Sequence, residues 1–406
     1  MRQADLKNIF THYRESKHLL FNQKEFLTEK HQPSIIHRDH QIQQLARTIA
    51  PAVNGEKISN TFIFGTVGTG KTLVARHVTS ELAKEAQGVR ILYVNCKMKR
   101  VSDTEYRLLA ELTRELGEAV PPTGLPTDQV YAQFFRLLDS KPQHVILILD
   151  EIDNIIKRIG DDVLYSLLRA NQDLRQGKLS LIGISNDVTF MDTMDPRVKS
   201  SLSEEELIFP PYNAAQLQDI LLSRTKEAFQ EGVLESGVVA KAAALAAQEH
   251  GDARKALDLL RVAGEMAERQ GRTKVTIADI DTAEQKLDTD LVVEAVRTQP
   301  KQSLAVLAAI VRLAESGQQH FQTGDVFTVY EKLAAGRGLK LLTQRRVSDL
   351  INELDMQGVI NAKVISKGRY GRTREIKVVL DPPLVEKIKR ILADNYFLDS
   401  LGRFAE

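Results

Sequence analysis

The sequence predicts an α/β protein with a parallel sheet, followed by a helical segment and a small helix-and-hairpin domain. Apolar runs such as Thr61–Phe64 and His144–Leu149 alternate with amphipathic helices in the first half, which is typical of buried parallel strands. Between 209 and 292 the patterns are helical, with glycines between them. From Pro300 three helical patterns precede two alternating strand patterns, which is the order of a winged helix.

Shifts in composition divide the chain into four parts. Residues 1–32 are polar and charged with scattered aromatic residues, and we expect them to form a partly ordered arm. An α/β base then covers 33–208, a helical domain (the lid) covers 209–292 and the winged helix covers 293–406. Phe209-Pro-Pro-Tyr212 marks the change from base to lid.

Composition indicates a globular protein outside the membrane. The chain has 406 residues, of which 43% are hydrophobic and 27% charged, and it lacks an apolar run of the ~18 residues that a membrane span needs. The start of the chain lacks the apolar core of a signal peptide, so the cytoplasm is the expected location. Cys96 is the only cysteine, which excludes an intrachain disulfide and a cysteine-based metal cluster. We expect it to be a buried thiol.

The residues from Gly65 to Thr72 carry the strongest functional motif of the sequence. Gly65–Thr72 fits G-x-x-x-x-G-K-[ST] between a predicted strand and a predicted helix, as phosphate binding requires. Glycines let backbone N–H groups surround the phosphates, and the helix N-terminus favours an anion. Lys71 can reach the β- and γ-phosphates, and the Thr72 hydroxyl can bind Mg²⁺. The alternative is an accidental glycine-rich turn, but such a turn would need neither a strand before it nor a helix after it. The predicted nucleotide contacts here are Gly65, Thr66, Val67, Gly68, Thr69, Gly70, Lys71, Thr72 and Leu73.

Acidic and amide side chains follow two later strand patterns. One ends in Asp150 and Glu151, and the next ends in Asn186. The carboxyl ends of parallel strands meet where α/β sheets bind ligands. We expect Asp150 to hold Mg²⁺ directly or through water, and Glu151 to polarise the attacking water. Asn186 could orient that water or contact the γ-phosphate; an ordinary strand-to-loop asparagine is the alternative.

Other side chains are candidates to complete the pocket. Ile35 and Ile36 could form an apolar slot for the base, or could simply pack in the core. Arg254 would lie in the first turn of a helix capped by Asp252, from which it could reach the nucleotide. A local salt bridge is the alternative for Arg254. Arg197 lies in a loop near a short helix, and its spacing alone assigns it no function.

The C-terminal domain has the charge of a DNA-binding module. Basic residues outnumber acidic ones from Ala295 onward, whereas acidic residues prevail before it. Basic side chains gather at the hairpin tip and at the start of the third helix, where a recognition helix would contact bases or phosphates. Winged helices also dock proteins, which is the alternative. The predicted DNA contacts are Gln344, Arg345, Arg346, Lys367, Arg369, Tyr370, Arg372 and Arg374.

Taken together, these motifs resemble a AAA+ ATPase with a winged helix, and specifically the archaeal origin-recognition/cell-division-cycle replication initiators. Gly65–Thr72 is similar to Walker A and Leu149–Asp153 to Walker B. The other matching stretches, which cover nearly the whole chain, are Pro33–Asp39 before the loop, Ile184–Asn186 as first sensor, Asp195–Leu202 as the box with a finger-like arginine, Phe209–Tyr212 at the start of the lid and Gly251–Leu257 as second sensor. One departure is His40, where an acid is expected.

The resemblance implies further roles. ATP would bind between base and lid with Mg²⁺, in contact with Ile35, Ile36 and Tyr212. Arg254 would touch the γ-phosphate of its own chain's nucleotide, and Arg197 could serve a neighbouring subunit. A helical insertion within 101–127 would contact DNA.

The expected function is that of a nucleotide-controlled initiator. Slow hydrolysis would convert ATP to ADP and change how the chain engages double-stranded origin DNA and recruits the replicative helicase. A second initiator copy or paralogue is a further candidate partner, and the expected location is nucleoid-associated. Two alternatives stay open: a Holliday-junction branch-migration motor of the same architecture, and a winged-helix regulator whose nucleotide site is only structural.

Overall fold

The computed structural model describes residues 20–28, 34–98, 103–121, 123–187, 189, 191, 194–316, 320–366, 372–377, 382–395 and 397. By its internal contacts the chain divides into two compact units, Met1–Ile280 and Asp281–Glu406. Each unit has its own hydrophobic core. None of the described helices is long and apolar enough to cross a membrane.

The first unit contains a five-stranded sheet in the order β2-β3-β4-β1-β5. Every pair of neighbouring strands is parallel, which confirms the predicted α/β fold class. The strands are β1 (Thr61–Phe64), β2 (Val89–Asn95), β3 (His144–Asp150), β4 (Lys178–Ser185) and β5 (Glu205–Ile208).

Helices cover both faces of this sheet. Every residue of β3 is buried. Val145, Leu147 and Leu149 belong to one apolar core, whereas Ile146 and Ile148 belong to another, because successive side chains of a strand point to opposite faces. The helices of the base are α1 (Asp39–Ile49), α2 (Lys71–Glu85), α3 (Glu105–Glu115), α4 (Thr127–Leu138), α5 (Asp153–Ile159), α6 (Asp162–Arg169) and α7 (Pro196–Leu202).

The strand register brings the predicted site residues to one edge of the sheet. Asn95 of β2 is paired with Asp150 of β3, and Asp150 is paired with Ile184 of β4. Phe64, the last residue before the glycine-rich loop, is paired with Ser185. The loop and the acids that follow β3 therefore begin from the same edge.

The lid consists of helices, as the sequence predicts. They are α8 (Ala214–Ala228), α9 (Val238–Gln248), α10 (Ala253–Arg269) and α11 (Ile277–Arg297). The amphipathic pattern of the sequence predicts an end near Lys286 for the last of these helices, but the helix continues for about three more turns to Arg297. Leu287, Leu291 and Val292 maintain an apolar pattern, and the sequence has no glycine or proline until Pro300.

A short N-terminal segment, Leu20–Thr28, packs against the lid. Leu20 and Phe21 are buried, and Phe21 pairs with Phe229 in an antiparallel bridge. Lys24 forms a 2.7 Å salt bridge with Glu268 of α10. The remainder of the predicted arm, residues 1–19 and 29–32, lies outside the described residues.

The second unit has the predicted winged-helix elements and two additions. Val347, Leu350, Ile351 and Leu354 of the third helix are buried on one face, as predicted. A two-residue strand precedes the second helix and joins the hairpin in a sheet of order β6-β8-β7, and a helix follows the hairpin. The elements are α12 (Lys301–Glu315), β6 (Phe321–Gln322), α13 (Thr323–Gly336), α14 (Gln344–Met356), β7 (Asn361–Ser366), β8 (Arg372–Lys377) and α15 (Pro382–Asp394).

Candidate nucleotide site

A cavity of about 410 Å³ lies between the base and the lid in the first unit. This volume is within the usual range for small-molecule sites. The base contributes Ser34, Ile35, Ile36, Gly68, Thr69, Gly70, Lys71, Thr72, Leu73, Arg76, Tyr93, Asn95, Asp150, Glu151 and Asn186. The lid contributes Tyr212, Ile220, Ser223, Arg224, Ala253, Arg254 and Leu257, and the N-terminal segment contributes Thr28.

The glycine-rich loop needs glycine at two positions on the cavity wall. Gly68 and Gly70 have φ angles of +72° and +88°, which side-chain-bearing residues rarely adopt. A Cβ atom on residue 68 would also overlap the Asp252 carboxylate, and one on residue 70 would be 3.0 Å from the Tyr212 hydroxyl. Helix α2 begins directly after Gly70 without a side-chain cap, so its first N–H groups are available to an anion.

Lys71 lies inside this loop. Its Nζ donates hydrogen bonds of 2.8 and 2.7 Å to the carbonyl oxygens of Gly65 and Thr66. Burial lowers the pKa of Lys71 to about 8, although Asp150 counteracts the shift. The ammonium group is therefore mainly protonated at pH 7, and a phosphate would be a stronger partner for it than two neutral carbonyls.

Asp150 holds two hydroxyl groups on the same oxygen. Its Oδ2 accepts hydrogen bonds from Thr72 Oγ1 at 2.8 Å and from Tyr93 Oη at 2.6 Å. Burial, followed by the bond to Asp150, raises the pKa of Tyr93, so this hydroxyl stays a donor. The Arg76 guanidinium covers the ring of Tyr93 at 3.7 Å. A hydroxyl and a carboxylate beside a phosphate loop are the hard oxygen ligands that Mg²⁺ takes, so these residues fit that ion.

Glu151 follows with a strained backbone. Its φ is +55°, a conformation that costs free energy in a residue other than glycine. Its Oε2 lies 3.5 Å from Asn154 Nδ2 and 3.9 Å from Lys97 Nζ. Because Glu151 and Asn186 both line the cavity, the structure brings the two predicted water-orienting residues to the same space.

The lid touches the loop directly. Asp252 caps α10 by accepting a 2.8 Å hydrogen bond from the Arg254 backbone N–H. The N–H of Ala253 lies 3.3 Å from the Gly68 carbonyl oxygen. Arg254 lines the cavity one residue further along. The start of α10 is therefore held against the wall that would surround the phosphates.

Arg38 is a structural link that we did not predict from the sequence. It is 2% exposed and donates from Nε to Thr69 O at 3.0 Å and from Nη2 to Pro210 O at 2.6 Å. Its guanidinium lies 3.8 Å above the Tyr212 ring. Burial lowers the pKa of Arg38. One side chain thus joins the phosphate loop to the start of the lid.

Four predicted site residues do not line the cavity among the described residues. Gly65 lies against the Phe209 backbone, Thr66 Oγ1 lies 3.5 Å from His250 O, and Val67 is 45% exposed. Arg197 is exposed, binds Asp195 at 2.8 Å and lies near the Tyr165 ring. That bond lowers the pKa of Asp195 to about 2.

In the second unit the described DNA-contact candidates occupy different environments. Gln344, Arg345 and Arg346 are exposed at the start of α14, and Arg346 lies 3.7 Å from Asp349. Arg374 instead donates from Nη1 to Ser348 Oγ at 2.6 Å and from Nη2 to Asn352 Oδ1 at 3.2 Å. It therefore fastens β8 to α14 and is only half exposed. Lys367, Arg369, Tyr370 and the Arg372 side chain lie outside the described part of the chain.

The segment predicted to contain a DNA-contacting insertion forms part of the base. In α3 the side chains of Leu108, Leu109 and Leu112 are completely buried in the core that they share with Val130 and Phe134 of α4. Only the faces of α3 and α4 that point away from this core could contact a partner. Residues 101, 102 and 122 lie outside the described set.

Comparison with known proteins identifies the family. Over 394 residues the chain is 52% identical to the ORC1-type DNA replication protein of Thermococcus onnurineus, with 95% of this chain and 94% of that protein covered. The chain belongs to the Cdc6/ORC1-type family of AAA+ replication initiators. The corresponding protein of Pyrococcus abyssi is 50% identical, with 94% and 92% covered. The predicted family is confirmed, and this chain is a P-loop ATPase of the AAA+ class.

Family descriptions and solved structures agree with this initiator assignment. An AAA domain matches 56–187, a Cdc6 AAA+ ATPase-type lid domain matches 218–285 and a CDC6 C-terminal winged helix domain matches 294–388. The structure of the Aeropyrum pernix ORC1 protein in complex with DNA is 42% identical with a TM-score of 0.83, covering 94% of this chain and 98% of that one. Cdc6p from Pyrobaculum aerophilum, at 21% identity and a TM-score of 0.58 over 93% and 99%, shares the fold.

Proposed function

We propose that this initiator binds origin DNA and that its ATP or ADP state controls how it engages that DNA and recruits the replicative helicase. The observation that carries the proposal is the direct contact of α10 with the phosphate loop, at Gly68 and Asp252. A ligand that occupies the loop must meet the start of the lid. The state of the nucleotide can therefore bias the lid relative to the base.

Hydrolysis would rely on positioning and charge, because phosphoryl transfer needs little covalent help from the protein. Lys71 would leave the Gly65 and Thr66 carbonyls for the β- and γ-phosphates. Thr72 and Asp150 would hold Mg²⁺, which when bound neutralises charge on the phosphate oxygens. Glu151 and Asn186 would orient the attacking water. We propose that this hydrolysis is slow and serves as a switch.

Arginines would sense the γ-phosphate from two directions. Arg254 lines the cavity of its own chain, which supports a contact in cis. Arg197 projects from the surface at α7, where among the described residues it contacts Asp195 and the Tyr165 ring. It could therefore reach the nucleotide of a second initiator copy or a paralogue.

DNA contact is proposed for the winged helix. The exposed Gln344, Arg345 and Arg346 open α14, and Lys367, Arg369, Tyr370 and Arg372 would complete the surface at the wing. Arg374 is a weaker candidate because its guanidinium holds α14. The relative from Aeropyrum pernix, solved in complex with DNA, supports a DNA partner. Such binding should weaken as salt rises, because phosphate contacts release counterions. A nucleoid-associated location in the cytoplasm follows from this role.

The test compares wild type with Glu151→Gln. We expect the variant to keep ATP bound, to hydrolyse it at a rate reduced by about a hundredfold or more, and to change helicase recruitment to origin DNA. Asp128→Asn, which also neutralises a carboxylate but lies outside the cavity, is the matched control. Unchanged DNA occupancy and recruitment would favour a purely structural nucleotide site. Fast, DNA-stimulated hydrolysis by a ring hexamer would favour a branch-migration motor.

A second experiment tests the wing. Footprinting across the replication origin should show protection by wild type that is lost in Arg369→Ala/Arg372→Ala, since each arginine would neutralise a phosphate or contact a base. Arg47→Ala/Lys57→Ala removes two exposed charges from the first unit and should leave protection intact. Retained protection in the wing variant would contradict this surface as the DNA contact.

A further inference from the structure

One end of the cavity is distant from the phosphate loop and carries a buried arginine. Helix α8 starts beside Tyr212, whose hydroxyl faces Gly70. Arg224 lies eleven residues after the Asn213 cap, roughly 16 Å along the helix at 1.5 Å per residue. It lines the cavity together with Ile220 and Ser223 of the same face. This is the end where the nucleoside part of a nucleotide would lie.

The surroundings of Arg224 are unusual for a cationic side chain. The residue is 8% exposed, and burial lowers its pKa with no compensating contribution from an acid. Within the described part of the chain its guanidinium makes one hydrogen bond and no ion pair. A guanidinium has five N–H donors, and leaving them unsatisfied in a buried site is costly. Acceptor atoms in the cavity would remove that cost.

The one hydrogen bond connects Arg224 to the N-terminal segment. Nη1 donates to Phe26 O at 3.2 Å, and Thr28, two residues later, lines the cavity. The same segment is fixed to the end of α8, since the N–H groups of Asn22 and Gln23 donate to Ala228 O at 2.8 and 3.3 Å. The end of the N-terminal segment, at Thr28, therefore forms part of the cavity wall, and the segment is attached to α8 at Ala228 and at Arg224.

We infer that Arg224 is a nucleoside-binding residue whose guanidinium bridges the ribose or base of the nucleotide and the Phe26 carbonyl. The N-terminal segment then becomes part of the binding site and is held more firmly by ATP and by ADP alike, because Arg224 is remote from the γ-phosphate. This role rests on the proposed ATP binding and adds to it a contact that does not distinguish the two nucleotides, in contrast to Arg254.

Calorimetric titrations of wild type, Arg224→Gln and Lys226→Gln test the inference. Lys226 is an exposed cation on the same helix, so it controls for lost charge. We expect Arg224→Gln to weaken the binding of ATP and the binding of ADP by the same factor. The factor should be about tenfold or more, because the substitution removes one hydrogen bond from a charged group. Tripolyphosphate, which lacks the nucleoside, should bind both variants as it binds wild type.

Two titration results would overturn the inference: unchanged ATP affinity in Arg224→Gln, or equal weakening of ATP binding and tripolyphosphate binding. Failure of wild type itself to bind ATP would instead contradict the proposed function. Hydrogen exchange supplies the second measurement. ADP should slow exchange at the Asn22 and Gln23 amides in wild type and not in Arg224→Gln, while the Gly68 amide is protected in both. Absence of that protection in wild type would also overturn the role of the segment.

Discussion

The Asp252 carboxylate occupies the space where Gly68 would carry a side chain. A Cβ atom on residue 68 would overlap Asp252 Oδ1, and the Gly68 carbonyl oxygen lies 3.3 Å from the Ala253 N–H. The same carboxylate caps the helix that carries Arg254. The phosphate loop and the start of α10 are therefore in direct contact, so a change in one must be accommodated by the other.

Replacing Gly68 by alanine should separate these two elements. The added methyl group would displace Asp252 and with it the start of α10, so we expect ATP affinity to fall by tenfold or more, measured by calorimetry. Gly55→Ala is the matched control, because Gly55 has the same φ of +72° with no atom within 4 Å of an added Cβ. Backbone strain of about 1–2 kcal/mol would be common to both variants. Equal ATP affinity in the two variants would contradict the importance of the collision.

Tyr93 should position the carboxylate that is proposed to hold magnesium. Tyr93→Phe removes one of the two hydroxyls on Asp150 Oδ2, which allows the carboxylate to rotate. We expect the magnesium concentration that half-saturates ATP binding to rise several-fold, because the lost hydrogen bond should weaken magnesium binding by about 1 kcal/mol. ATP binding in EDTA should not change.

Tyr131→Phe provides the control for this prediction. Tyr131 also donates to a carboxylate, Glu105 Oε1 at 2.6 Å, and burial raises its pKa as it does that of Tyr93. It belongs to α4, away from the cavity. A similar change in the magnesium requirement of both variants would indicate a general loss of stability and would contradict a specific role for Tyr93.

The parts of the site that sequence could predict are local in the chain. Gly65–Thr72 folds as a strand, loop and helix from adjacent residues, and Asp150 ends a strand that its own apolar residues identify. Arg38 and Arg224 could not be found in this way. Their partners are 172 and 198 residues distant, at Pro210 and Phe26, and each partner is a backbone carbonyl, which leaves no trace in the side-chain pattern.

Strand register explains another omission. Tyr93 meets Asp150 because β2 pairs with β3 so that Asn95 lies opposite Asp150, and the sequence of neither strand shows which strands will be neighbours in the sheet.

The charge of Arg374 predicts a DNA contact, yet the side chain binds Ser348 and Asn352. Charge alone does not show whether an arginine holds the fold together or meets a partner.

His144 should make the first unit less stable in mild acid. It is 3% exposed, lies 3.0 Å from Ser180 Oγ, and faces Lys57 and Lys178. Burial, with a smaller contribution from these two lysines, lowers its pKa to about 4. Because the unfolded chain would bind a proton near pH 6.5, stability is complete above that pH and falls as the pH drops toward 4.

Between pH 7 and pH 5 the first unit should lose about 2 kcal/mol of its free energy of unfolding, as expected for a pKa shift of this size. Denaturant unfolding of wild type and of His144→Gln at both pH values measures this loss. Between pH 7 and pH 5 the free energy of unfolding should fall less in the variant than in wild type, by about 2 kcal/mol. His77→Gln, at an exposed position of α2, should keep the wild-type dependence. Parallel pH profiles for wild type and His144→Gln would contradict the prediction.

Gly264 should be essential to the attachment of the N-terminal segment. An added Cβ would overlap Phe21 Cζ and lie 2.9 Å from Phe229 Cε1, and these two rings stack at 4.6 Å. Glycine to alanine inside a helix normally stabilises by about 1 kcal/mol. Here we expect Gly264→Ala to lower the free energy of unfolding of the first unit by roughly 1–3 kcal/mol, the usual cost of overpacking. In a Phe21→Ala background the closer collision is relieved and Phe229 has room to move, so the same substitution should cost less than it does in wild type. Denaturant unfolding of the four proteins forms a double-mutant cycle. Additive effects of the two substitutions would contradict a collision with Phe21 and would place the cost of the alanine elsewhere in α10.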